Sequence, residues 1–193
     1  MTKVITVASL KGGVGKSEFV KELSKYLLER GNRVLMIDTD INHSCAFKYF
    51  KEDYPIFSNL TFINFSPNEL TDLTDTLFKH FDYVVIDTMP YTTDIETPIT
   101  LADMIVTPTN TDTFASDELV RLQKLVEICS GKVQSIDVVT YTDSLKYTNN
   151  REMLESIKNI KNVNLLKSKL VRGNPEDSLD VCEELINKEY IES

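Results

Sequence analysis

Short apolar runs that end on polar residues recur along this chain, separated by stretches with helical spacing. Val4-Ile5-Thr6-Val7-Ala8 is the first run, and Val34-Leu35-Met36-Ile37 follows, ending in Asp38. Tyr83-Val84-Val85-Ile86 ends in Asp87, and Met104-Ile105-Val106 ends at Thr107-Pro108. Ile136-Asp137-Val138-Val139 ends at Thr140-Tyr141, and Asn59 to Phe65 reads as one more strand. Runs of this length without alternation suit parallel strands covered on both faces. Between them, Phe19, Val20, Leu23, Tyr26 and Leu27 recur on one face of a helix, with Gly31 as its stop. Further helices are predicted over 68–80, 115–130, 149–159 and 179–190. Alternation of this kind predicts an α/β fold, a doubly wound, mostly parallel sheet with helices on both faces.

The first strand runs into Lys11-Gly12-Gly13-Val14-Gly15-Lys16-Ser17 and then into the first helix. A strand, a glycine-rich turn and a helix in that order make a phosphate cradle. Glycines let backbone N–H groups curl around an anion, and the helix adds its positive end. In such a loop Lys16 reaches the β- and γ-phosphates and the Ser17 hydroxyl binds Mg²⁺. The strict pattern asks for glycine six residues before Lys16, where this chain has Leu10. A second lysine, Lys11, stands beside that position instead.

With this departure the segment resembles the deviant Walker A motif of the ParA/MinD ATPases, P-loop NTPases in which a signature lysine precedes the paired glycines. The resemblance implies that Lys11 crosses a dimer interface to the partner's nucleotide. It implies ATP and Mg²⁺ as cofactors, with Lys11, Gly12, Gly13, Val14, Gly15, Lys16, Ser17 and Glu18 around the phosphates. Glu18 stands where a second threonine is usual, so a carboxylate pointing inward would repel nucleotide. It is expected to point outward, with only its N–H on the phosphate.

Ligands of doubly wound sheets sit beyond the carboxyl ends of the strands. Asp38, Asp40 and Asp87 lie there. A lone aspartate at a strand end commonly caps a turn. Three that share a chain with a phosphate loop point to Mg²⁺ and an attacking water. Asp38-Thr39-Asp40 looks like the family's D-x-D switch I segment. Asp40 would then position and help deprotonate the water, and Asp38 would support the Mg²⁺ shell. Tyr83 to Thr88 looks like its Walker B strand, with Asp87 near Mg²⁺. The catalytic set so implied is Lys11, Lys16 and Asp40, and the metal set is Ser17, Asp38 and Asp87. Ala102 to Pro108 and Phe114-Ala115 resemble further family segments. The family usually has proline where Met89 stands, which implies a looser segment there. Ile41-Asn42 replace the usual Pro-Gln after Asp40.

Composition changes the picture in two places. The 193 residues, 41 % hydrophobic and 26 % charged, fit one soluble globular domain over 1–193. Cys45, Cys129 and Cys182 are far apart and odd in number, which suits reduced thiols in a cytosol. They lack iron–sulfur spacing, and His43 and His80 have no metal-binding partner motif. No run approaches the roughly 20 apolar residues of a membrane helix, and no signal peptide is read at the start. The net charge of −9 hides a split. From Lys146 to Arg172 stand seven cations against Glu152 and Glu155; from Gly173 onward there are seven acids and Lys188 alone. An anionic bilayer would repel that acidic end, so no membrane partner is expected. The basic stretch lies where relatives contact DNA non-specifically, and Lys167, Lys169 and Arg172 are its candidate contacts. A solvated strip of surface charge is the plain alternative.

The resemblance implies a cytoplasmic ATPase for plasmid or chromosome partition. It would dimerise on ATP, hydrolyse it slowly, and answer to a ParB-like centromere-binding protein. Two alternatives share the same core. One is a metabolic P-loop ligase similar to dethiobiotin synthetase. The other is a regulator of conjugation or of polysaccharide synthesis.

Overall fold

The computed structural model describes residues 1–40, 57–90, 92–110, 115–142, 151–171 and 175–191. Seven strands form one sheet, every neighbouring pair parallel, in the order β3-β2-β4-β1-β5-β6-β7. They are β1 Lys3–Val7, β2 Val34–Asp38, β3 Leu60–Asn64, β4 Tyr83–Asp87, β5 Met104–Asn110, β6 Ile136–Thr142 and β7 Val163–Val171. The helices are α1 Lys16–Glu29, α2 Pro67–Leu77, α3 Thr92–Leu101, α4 Ala115–Cys129, α5 Arg151–Lys158 and α6 Pro175–Ile191. A single 3₁₀ turn, Phe78–His80, follows α2.

Successive residues of one strand serve opposite faces, which is why the strands read as unbroken apolar runs. On one face Ile5, Val7, Met36, Val85, Val106 and Val139 meet Phe19, Leu23 and Leu27 of α1 and Val181, Leu185 and Ile186 of α6. On the other face Ile105 and Val138 meet Ile95 and Ile99 of α3, Leu119 and Leu122 of α4 and Ile157 of α5. Val4, Leu35, Ile37, Val84 and Ile86 close the same face over Leu70 of α2 and Phe78. α1 leaves β1 to one face and α3 leaves β4 to the other. A crevice therefore opens beyond the carboxyl ends of the two adjacent strands, as doubly wound sheets require.

Most predicted elements are present with shifted ends. The helix expected over 68–80 ends as α2 at Leu77, with the 3₁₀ turn completing it. Its start is fixed by Glu69, whose carboxylate accepts the Ser66 N–H at 2.9 Å and the Ser66 hydroxyl at 2.6 Å. The last helix begins at Pro175, four residues earlier than the pattern suggests. Proline suits a first helical position, and the acidic residues after it suit the helix's positive end.

Two elements escape the sequence reading. α3 carries Pro98 inside it, and a proline breaks the helical pattern on which the prediction rests. The Pro98 carbonyl accepts the buried Thr6 hydroxyl at 2.8 Å. β7 was hidden by its lysines and by an irregular register: Val138 pairs with Leu165, but Thr140 pairs with Lys169. The extra residues form a bulge, so inside and outside positions no longer alternate. The Glu184 carboxylate of α6 accepts the Lys167 and Ser168 N–H groups of that bulge at 2.9 and 2.8 Å.

β5 also runs past its predicted end, through Pro108. The Val106 carbonyl accepts Ala8 N–H on the β1 side at 2.9 Å. Pro108, two residues on, faces the same side, but β1 pairs with β5 only as far as Val106. The missing N–H of Pro108 therefore costs no ladder bond.

Candidate functional site

The loop between β1 and α1 lies at the carboxyl ends of β1, β2 and β4. Gly13 and Gly15 take φ of 73° and 98°, a region that side chains disfavour. Gly15 caps α1 and its carbonyl accepts Phe19 N–H at 2.9 Å, closing the first turn. Gly12 is exposed and Val14 buried. Lys16 is only 7 % exposed, and its ammonium donates to the Lys11 carbonyl at 3.1 Å. Burial lowers its pKa, while the charges of Asp87 and Glu118 act to raise it. Lys16 thus lies folded into its own loop, where an anion would relieve the cost of burying its charge.

Below the loop the acidic residues line up in register, Asp38 opposite Asp87 on neighbouring strands. Both are buried. Burial pushes the Asp87 carboxyl up to about 7; the charges of Asp38 and Asp40 push the same way, and the hydrogen bond from Ser17 and the charge of Lys16 oppose them. Asp87 Oδ1 is buried with no hydrogen-bond partner among the described residues. A divalent cation fits this arrangement. It would supply the counter-charge that burial denies Asp87, with the Ser17 hydroxyl beside it. Among the described residues no three His, Cys, Asp or Glu side chains gather to hold a metal alone. Mg²⁺ commonly takes one or two protein ligands and completes its shell with phosphate and water.

Asp40 is half-buried just beyond β2, and its N–H donates to Asp38 Oδ1 at 2.9 Å. The structure therefore brings Lys11, Lys16, Ser17, Asp38, Asp40 and Asp87 to one end of the sheet. Glu18 is exposed. Ile41, Asn42 and Phe114 lie outside the described residues, as does Arg172. Lys167 is exposed and Lys169 half-buried, both on edge strand β7 and well apart in the fold from the acidic row.

Three residues of the site carried no assigned role in the sequence reading. The Thr39 hydroxyl donates to the Asp87 carbonyl at 3.0 Å and accepts Met89 N–H at 3.3 Å. It ties the segment after β2 to the segment after β4. A proline at 89 would lack that N–H, so Met89 adds a tie where a looser segment was expected. Ser9, 4 % exposed, accepts the Lys11 N–H at 3.2 Å and so braces the start of the loop. Glu118, in the first turn of α4, acts on Lys16 through space. Its only sequence signal is its place just after the Phe114-Ala115 helix start.

Comparison with known proteins bears on the family and the fold. The family model for the CobQ/CobB/MinD/ParA nucleotide binding domain matches residues 5–188. An uncharacterized ATP-binding protein of Methanocaldococcus jannaschii is 23 % identical over 164 residues, 69 % of this chain and 62 % of that protein's length. The chain thus spans less than two thirds of that curated relative. A putative plasmid partition protein of Borrelia burgdorferi, bound to AMPPNP, superposes with a TM-score of 0.75 at 19 % identity, covering 97 % of this chain and 100 % of that one. Cobyrinic acid a,c-diamide synthase of Mycobacterium smegmatis, with an ATP analog and magnesium, gives 0.82 at 18 % identity, covering 97 % and 95 %. At these identities the superpositions bear on the fold alone.

Proposed function

Since the chain belongs to the CobQ/CobB/MinD/ParA nucleotide-binding family, we propose that it is a ParA-like ATPase that works as an ATP-dependent dimerising switch in DNA partition. The observation that carries this reading is the buried Lys16 in its glycine loop, set over the in-register pair Asp38 and Asp87. In the proposed cycle Lys16 leaves the Lys11 carbonyl and meets the β- and γ-phosphates of ATP. The loop N–H groups and the end of α1 hold the phosphate oxygens. Ser17 and Asp87 would hold Mg²⁺, with Asp38 supporting its shell, and the bound ion would supply positive charge beside the phosphates. Asp40 orients the attacking water and takes up its proton as the water oxygen bonds to the γ-phosphorus and the bond to the departing ADP breaks. Because one residue ties the segments after β2 and β4 together, loss of the γ-phosphate would be felt in both. Slow turnover, a cytoplasmic setting and a ParB-like activating partner belong to the same proposal. Among the described residues no helix is long and apolar enough to cross a membrane.

Lys11 separates the switch from a small-substrate ligase. Its carbonyl serves Lys16 inside the loop, and the family resemblance has its ammonium reaching a partner's nucleotide. Desolvated between two anionic sites, that charge would be worth most. The expected result in light scattering is a monomer with ADP and a dimer with a non-hydrolysable ATP analogue. Lys11→Ala should bind nucleotide yet stay monomeric. A wild type whose mass ignores nucleotide, or a normal Lys11→Ala dimer, would favour the ligase.

The partition role further predicts DNA binding by the ATP-locked form, without sequence preference. Lys167, exposed on β7, and Lys169 two residues on support it, with Arg172 next in the chain. Each phosphate contact contributes about 0.9 to the slope of log affinity against log salt. Neutralising all three cations should flatten that slope by about 2–3 in a filter-binding titration. An unchanged slope would leave these cations as solvated surface charge.

A further inference from the structure

A tyrosine on β6, outside every motif described above, presses on the pivot of the phosphate loop. Tyr141 is 5 % exposed and packs in the same core as α1. A Cβ built on Gly15 would come within 2.7 and 2.9 Å of its ring atoms Cε2 and Cζ. The phenol donates to the Gly15 carbonyl at 3.3 Å, the same oxygen that accepts Phe19 N–H. Gly15, at φ 98°, is the joint at which loop becomes helix. Tyr141 itself is held on two sides, in register with Asn110 of β5 and Leu170 of β7.

We propose that Tyr141 is a positioning residue for the nucleotide's phosphates: it fixes the Gly15 joint and thereby aims the Lys16 and Ser17 N–H groups and the Lys16 side chain. The inference rests on the ATP reading. A purely structural tyrosine would need only its ring, since filling the space beside Gly15 requires no hydroxyl. The hydroxyl is placed on the one carbonyl whose direction sets the first turn of α1. Rotation of that peptide would turn the next N–H groups away from an anion in the loop. The ring also explains why residue 15 must be glycine on steric grounds, beyond its backbone angle.

Tyr141→Phe keeps the ring and removes the hydroxyl, and with it the bond to the Gly15 carbonyl. Urea unfolding, and calorimetry with Mg·ATP and with inorganic tripolyphosphate, should be run on wild type and variant. The variant should stay folded, with a slightly lower urea midpoint, and bind both ligands more weakly by about the same factor. That factor is about fivefold, the usual worth of one neutral hydrogen bond. Equal affinities would overturn the proposal and leave Tyr141 a core residue. A loss confined to ATP would also overturn it, since tripolyphosphate carries neither base nor sugar. Failure of the wild type to bind Mg·ATP would instead remove the reading on which the inference stands.

Discussion

Lys16→Ala should bind Mg·ATP at least about 100-fold more weakly than the wild type, with little loss of fold. The ammonium is buried inside the loop and already desolvated there. Bringing it to the β/γ-phosphates exchanges a carbonyl partner for an anionic one. Charge-assisted bonds of that kind contribute about 3 kcal/mol, which is on the order of a hundredfold in affinity. Removing a buried charge also removes its desolvation cost, so the free protein should unfold no more easily than the wild type. Isothermal calorimetry and a urea melt read the two quantities separately. Unchanged affinity would falsify the assignment of the loop to phosphate.

Asp40→Ala should leave Mg·ATP affinity within about twofold and lower hydrolysis by about 100-fold or more. General bases contribute in that range. Asp40 meets the water and not the phosphates in the proposed cycle, so its loss should appear in the chemical step alone. The protein should then accumulate as an ATP-loaded dimer. Single-turnover quench experiments give the rate directly. Hydrolysis surviving within about tenfold would reduce Asp40 to a structural role beside Asp38, whose Oδ1 its N–H already engages.

What could be read from the chain beforehand depended on how local the signal was. The glycine loop, the runs ending at Asp38 and Asp87, and the first helix are each encoded within a dozen residues, and their arrangement follows from rules for parallel sheets. β7 and α3 were not readable that way. A bulge scrambles the alternation of one, and Pro98 interrupts the pattern of the other, yet both are fixed by distant partners such as Glu184 and Thr6. The same holds within the site. Glu118 and Tyr141 reach the loop only because α4 and β6 are brought to it by folding. Thr39 stands inside a recognised motif, but its bond to the Asp87 carbonyl depends on the pairing of β2 with β4.

The position of β1 also bears on how the chain is made. β1 emerges before both of its neighbours, which come much later, at residues 83–87 and 104–110. At ribosomal speeds of about 5–20 residues per second, its first pairing waits roughly 4–16 s. During that interval β1 has no strand to pair with, and the apolar face of α1 lacks most of the sheet it will cover. β2 and β3 can pair sooner, but β4 must later enter between β2 and β1. The glycine loop is therefore synthesised well before the strands that flank β1. Pulse-labelled chains stalled before residue 83 should be protease-sensitive across β1, and chains that have released residue 110 should not.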